Sequence, residues 1–169
     1  MKMVSWECII IRPMITANIP GFGPLEISHL VSDVNGTLAV DGILLPGVAE
    51  ALQQLASQVQ IHLITADTHG RQAEIDAALG LRAVRLQPGG EAEQKAAYVH
   101  NLGADSVAAV GQGANDALML RAARVGIGVL SPEGLAQAAL TAADVIVPDI
   151  LSALMLLQNP KRLTATLRK

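Results

Sequence analysis

The sequence predicts an α/β domain in which a parallel sheet lies between two layers of helices, and three observations carry that expectation. Apolar segments of strand length alternate with segments whose apolar positions recur at helical spacing. The strand segments, such as QIHLIT at 60–65 and SVAAV at 106–110, are nearly continuous in apolar character, as expected of strands covered on both faces. The composition supports a full core: 169 residues, 51% hydrophobic and 16% charged, with a net charge of −3. A chain of this length buries roughly 70% of its unfolded surface, and so apolar a composition at low net charge excludes disorder.

The elements follow in order. Residues 1–13 do not read like the rest and are set apart as a poorly ordered leader; Arg12-Pro13 cuts its apolar stretch too short for a signal peptide. A single domain is expected over 14–169. Met14 to Ile27 reads as a small β-hairpin around Pro20-Gly21-Phe22-Gly23-Pro24. His29–Ser32 is a strand ending at Asp33, and Leu38–Leu45 a flap turning at Asp41-Gly42. Pro46–Ser57 places Val48, Leu52 and Leu55 at helical spacing, with proline near the first turn. Gln60–Thr65 is a strand and Gly70–Leu79 a helix stopped by Gly80. Ala83–Leu86 is strand-like, and Glu91–Leu102 is helical and stopped by Gly103. Ser106–Val110 is a strand, Asn115–Ala123 a helix, Val125–Val129 a strand and Pro132–Thr141 a helix. Asp144–Val147 is the last strand, Ile150–Leu157 a closing helix, and a tail starts at Pro160.

Composition also narrows function. A lone cysteine, Cys8, excludes a disulfide framework or cysteine zinc cluster and fits a reducing cytoplasm. Aromatics are 2% of the chain, so base-stacking platforms are not expected, and the mild acidity gives no pull toward nucleic acid. No apolar run reaches the length of a membrane helix. The basic tail (Lys161, Arg162, Arg168 and Lys169) reads as a solvated helix end complementing its own dipole. His69 is expected on the surface, and His29 and His62 in structural positions within strands.

In a parallel sheet of this kind, ligands bind beyond the carboxyl ends of the strands. Asp33, Thr65-Ala66-Asp67 and the run Gly111-Gln112-Gly113-Ala114-Asn115-Asp116 stand at such ends, and Lys95 can point to the same edge from its helix. A carboxylate at a strand end can approach phosphorus while the amides of the turn at Gly36 hold phosphate oxygens. Thr65 offers a hydroxyl, the chain at Thr65-Ala66 an amide, and Lys95 a positive charge. Asp116 can help hold Mg²⁺, and Asp67 and Asn115 are further candidate site residues at the same strand ends. Positioning plus charge neutralisation is most of what phosphoryl transfer requires, so the constellation suggests attack by Asp33 to form an aspartyl-phosphate. GQGANDA half-matches a dinucleotide fingerprint, but Asp116 replaces its last glycine and no acidic ribose partner follows. A receiver domain would need an acidic pair before Asp33, where Leu25–Ile27 offers only Glu26.

These motifs, DVNGTL at 33–38, TAD at 65–67, Lys95 and GQGANDALML at 111–120 followed by RAARVGIGV, resemble the haloacid dehalogenase-like superfamily. Within it they resemble the phosphorylation domain of P-type ATPases. The flanks, PGFGPLEISHLVSDVNGTLAVDG at 20–42 and NPKRLTATLR at 159–168, look like the small soluble P-type ATPase-like members. The resemblance spans about Ile15 to Arg168. It implies a Rossmann-like fold, a Mg²⁺ cofactor, a phosphorylated substrate (small molecule or macromolecule), and Asp33, Asn35, Thr65 and Lys95 as catalytic residues. It also implies that Asp33, the Asn35 carbonyl, Gln112 and Asp116 hold the metal.

Two departures stand out. The superfamily's phosphatases carry an aspartate as general acid/base where this chain has Asn35, which cannot take a proton near neutral pH. The first metal-binding aspartate of the GDGxxD motif is Gln112 here. Slow hydrolysis is therefore expected, and the alternative is a degenerate member that binds phosphate, nucleotide or a protein partner without turnover. With two carboxylates, Lys95 and Mg²⁺, the site sums to about +1, which favours phosphate entry. About 31 residues separate Asp33 from Thr65 and the interval to Lys95 is equally short, so no cap domain and no ion pumping are expected. Capless relatives commonly cover their site with a neighbouring copy, so a homo-oligomer is expected as well.

Overall fold

The structure, a computed structural model, describes residues 14–67 and 70–169. The leader expected over 1–13, with Cys8, and His69 both lie outside the described residues. Strands β1 (Ile15–Ile19) and β2 (Gly23–Ile27) form the antiparallel hairpin, with Ile15 paired to Ile27. Its alternating Ile15, Ile19, Leu25 and Ile27 are buried, the period-two pattern of a sheet with one covered face. Strand β3 (His29–Asp33) follows, then a two-stranded flap of β4 (Ala39–Val40) and β5 (Ile43–Leu44). The flap turns at Asp41 and Gly42, with φ of 52° and 71°; two left-handed residues are what a tight hairpin turn demands.

The chain continues through α1 (Val48–Leu55), β6 (Gln60–Thr65), α2 (Gln72–Leu79), β7 (Val84–Arg85) and α3 (Glu91–Leu102). After β8 (Val107–Gly111) come α4 (Ala117–Ala122), β9 (Val125–Val129), α5 (Gln137–Ala142) and β10 (Val145–Val147). Helices α6 (Ile150–Gln158) and α7 (Pro160–Leu167) close the described chain. Six strands form the central sheet in the order β10-β9-β8-β3-β6-β7, every pairing parallel. Val31, Ile64, Val107 and Ala109 face one apolar layer, and Leu30, Leu63, Ala108 and Val110 face the other. Helices therefore cover both faces, which is why these strands read as apolar throughout.

The topology positions the site. From β3 the chain runs outward to β6 and β7, then crosses back to place β8 on the opposite side of β3. The strand order reverses at β3, and the crevice outside the carboxyl ends at such a switch point is where ligands bind in open α/β sheets. Asp33 is the last residue of β3. The intervals after Asp33 and after Thr65 hold only the flap with α1, and α2 with β7, so the described chain inserts no cap there.

Two expectations change. The helix read over Pro132–Thr141 begins only at Gln137; Ser131–Gly134 is a turn, with Gly134 at a φ of 94° and its amide donating to the Ser131 carbonyl at 2.8 Å. A left-handed residue cannot continue a right-handed helix, so Pro132 belongs to a turn and not to a first helical turn. The helix read from Asn115 opens with a short 3₁₀ turn over Ala114–Asp116 before α4. Leu30 in β3 is fully buried, whereas Ile146 in the edge strand β10 is 42% exposed. Urea unfolding should therefore show Leu30→Ala losing about 2–5 kcal/mol and Ile146→Ala less than about 1 kcal/mol.

Candidate active site

Asp33 ends β3 beneath a turn closed by the Leu38 and Ala39 amides, which donate to the Val34 carbonyl at 2.8 and 3.0 Å. That turn brings Thr37 back over the strand end. Its hydroxyl donates to Asp33 Oδ2 at 3.1 Å, and Lys95 Nζ donates to Asp33 Oδ1 at 2.6 Å. The same ammonium donates to Asp116 Oδ1 at 2.6 Å. Lys95 comes from the buried face of α3, where only it and Val99 are buried, and its side chain is 1% exposed. One ammonium thus joins two carboxylates from β3 and from the loop after β8. Its third N–H is left for a further acceptor.

Asp116, expected at a metal ion, has both oxygens engaged. Oδ2 accepts the backbone amides of Gln112 and Gly113, each at 2.9 Å, while Oδ1 accepts Lys95. Gly111 permits this, since a Cβ there would come within 2.6 Å of the Asp116 carboxyl carbon. Thr65, ending β6 next to β3, accepts the Asp67 amide at 2.9 Å and the Asn35 side-chain amide at 3.3 Å. Two accepted bonds use both lone pairs of that hydroxyl and leave its proton for another group.

Asp33, Asn35, Thr65, Ala66, Lys95, Gln112 and Asn115 line one cavity of about 190 Å³. Asp116 is fully buried and is not among its lining residues. Asp67 turns away, its Oδ1 accepting the amide of Gln72 at the start of α2. The lining adds one residue that the sequence reading left out, Glu133 of the turn after β9. The signal was present: Pro132-Glu133-Gly134 is a turn sequence at the carboxyl end of a strand. Gly36, at a φ of 79°, allows the approach, for a Cβ there would lie 2.6 Å from Glu133 Oε2 and would strike the Gln112 side chain. A larger groove of about 320 Å³ between α1 and α2, lined by Leu52, Ile61 and Leu81, contains no titratable group.

Burial raises the Asp33 carboxyl and the Asp116 charge raises it further. Lys95 and Thr37 offset only part of this, so its pKa is pushed up to about 7. Burial pulls the Lys95 ammonium down, but the two carboxylates outweigh it and hold its pKa above the ordinary lysine value. Two buried carboxylates on one ammonium leave excess negative charge, which is costly away from water. The Asn35 carbonyl receives no hydrogen bond from any described residue, although the adjoining Gly36 amide donates to Ala39. Excess charge and free oxygen donors fit a hard divalent cation. Among the described residues no three His, Cys, Asp or Glu surround one point. A cation such as Mg²⁺ needs only one or two carboxylates and completes its shell with waters and phosphate oxygens.

A family model described as a haloacid dehalogenase-like hydrolase matches residues 7–124. The chain belongs to that family. Among solved structures it is similar to the 3-deoxy-D-manno-octulosonate 8-phosphate phosphatase of Moraxella catarrhalis, determined with magnesium and phosphate. The identity is 20%, over 84% of this chain and 94% of that one, with a TM-score of 0.59. At that identity the likeness shows the fold. A zinc-transporting PIB-type ATPase in its E2.Pi state is 31% identical over 72% of this chain, with a TM-score of 0.59. This chain spans 20% of that ATPase. An uncharacterized protein of Methanocaldococcus jannaschii is 44% identical over 62 residues, which are 37% of this chain and 67% of that protein. Among the described residues no helix is long and apolar enough to cross a membrane.

The folded-state pKa of Asp33 lies above its unfolded value of 3.8. Its contribution to stability is therefore present in full below about pH 4 and is lost as the pH rises through about 7. Thermal melts of the metal-free protein should show stability falling more steeply between pH 5 and pH 8 than in Asp33→Asn. Lys95→Met leaves two buried carboxylates unpaired and should cost about 3–5 kcal/mol at pH 8 by urea unfolding, with a smaller loss at pH 5, where Asp33 is protonated.

Proposed function

We propose that this protein is a Mg²⁺-dependent phosphohydrolase or phosphotransferase that works through an aspartyl-phosphate on Asp33. The observation that carries this reading is the pair of 2.6 Å contacts by which Lys95 holds Asp33 and Asp116 at the switch point of the sheet. Membership of a hydrolase family supports it, as does the ATPase similarity over 72% of this chain.

Each residue has a part in that chemistry. Asp33 Oδ2, steadied by Thr37, attacks the phosphorus of a bound ester, and the bond to the leaving oxygen breaks. The third N–H of Lys95, the free proton of Thr65 and the amide of Ala66 receive the phosphate oxygens. Asp116 holds Lys95 from below and fixes the Gln112-Gly113 backbone, so that the ammonium does not swing into the cavity. Asp33, the Asn35 carbonyl and the Gln112 side-chain oxygen would hold the cation. Mg²⁺ bound there would neutralise the phosphate and its developing negative charge. Water then attacks the aspartyl-phosphate, returning Asp33 and releasing inorganic phosphate.

A second reading rests on Asn35, whose side chain donates to Thr65 and carries no exchangeable acid. In that reading the site holds phosphate, or a phosphorylated partner, without turnover. Phosphate release from p-nitrophenyl phosphate separates the two. The enzyme reading expects release that needs Mg²⁺, ceases with a chelator, and falls to the uncatalysed level in Asp33→Asn. No release from the wild type or from Asn35→Asp/Gln112→Asp, with phosphate binding retained, would establish the second reading instead.

A further inference from the structure

An ester of a weakly acidic alcohol needs a proton at its departing oxygen, and the following hydrolysis needs one taken from water. The amide at Asn35 can supply neither. The described carboxyl groups around the cavity are mostly committed: Asp116 to Lys95 and two amides, Asp67 to the start of α2, and Glu91 to the side chain of Asn115 at 3.0 Å. Glu133 differs. It lines the same cavity as Asp33, Thr65 and Lys95, and its carboxylate has no hydrogen-bond or ion-pair partner among the described residues.

Its placement is built. The Ser131 hydroxyl accepts the Glu133 amide at 3.0 Å and donates to the Gly134 carbonyl at 3.3 Å, which fixes the turn. The Ala136 amide donates to the Gln112 carbonyl at 2.9 Å and ties that turn to the loop after β8. The absent side chain of Gly36 opens the space into which the Glu133 carboxyl reaches. Asp33 is buried at the cavity floor and Glu133 is exposed at its mouth. In-line displacement sends the leaving oxygen away from the attacking one, hence from the floor toward the mouth.

We propose that Glu133 is the general acid–base of this site; this rests on the phosphohydrolase reading above. As an Asp33 oxygen bonds to phosphorus and the ester P–O bond breaks, the departing oxygen takes the proton of the Glu133 carboxyl and leaves as the alcohol. The resulting Glu133 carboxylate accepts a proton from water as the water oxygen bonds to phosphorus. The bond to Asp33 breaks, giving phosphate, the Asp33 carboxylate and the protonated Glu133.

The test compares two esters on the full chain with Mg²⁺: p-nitrophenyl phosphate, whose leaving group departs without a proton, and glycerol 2-phosphate, whose leaving group does not. Glu133→Gln should lower kcat/KM for glycerol 2-phosphate by roughly 10²-fold or more and leave that for p-nitrophenyl phosphate within about fivefold. It should also show a nitrophenolate burst followed by slow turnover, because water no longer has its base. Asn35→Asp added to Glu133→Gln should restore the glycerol ester, and the exposed position should leave the melting temperature unchanged. Equal losses on both esters with a raised Mg²⁺ requirement would overturn the proposal and assign Glu133 to the cation. No change on either would remove it from the reaction. A wild type inert toward both esters overturns the hydrolase reading and this proposal with it, whereas an active wild type with an unaltered Glu133→Gln overturns this proposal alone.

Discussion

Two carboxylates that would repel each other are held together, out of water, by a single ammonium. Neither Asp33 nor Asp116 could be buried alone, and Lys95 could not lie on the inner face of α3 without them. The triad therefore fixes where α3 packs, how the loop after β8 folds back on Gly111, and which way the end of β3 faces. It is also one positive charge short. Burial and that deficit together raise the proton affinity of Asp33, and the excess negative charge suits a cation.

Most of this arrangement is legible in the residues. Apolar strands end in Asp33, Thr65 and Gly111, and a parallel sheet brings such ends to one edge. Lys95 is readable because it falls near the start of a helix whose axis runs back from that edge. The details of Asp116 are less readable, since its contacts with the Gln112 and Gly113 amides depend on a tight backbone path that no periodicity records. Glu133 was hidden for a definite reason. Pro132 suits the first turn of a helix, and the apolar spacing after it continues that pattern, but the left-handed Gly134 breaks the helix and delays its start to Gln137. The resulting turn carries a carboxylate to the mouth of the cavity. A formal sum of about +1 without Glu133 becomes about 0 with it, so the pull on phosphate is weaker than the motifs alone suggest.

The short intervals after Asp33 and Thr65 leave the cavity with a small rim of Asn35, Gln112, Asn115 and Glu133. Every one of these can form hydrogen bonds and none is apolar. No residue of the flap lines the cavity, and Ile43 in the flap is well exposed. In the phosphohydrolase reading proposed above, selection of the substrate beyond its phosphate falls to this polar rim.

Chemical trapping of the covalent intermediate tests the nucleophile most directly. Protein incubated with p-nitrophenyl phosphate and Mg²⁺, quenched in acid and reduced with borohydride should contain homoserine at position 33 in peptide mass spectra, in proportion to the phosphate retained before reduction. Retained phosphate with homoserine absent at 33, or present at another aspartate, would contradict the assignment of Asp33 as the residue that takes the phosphoryl group.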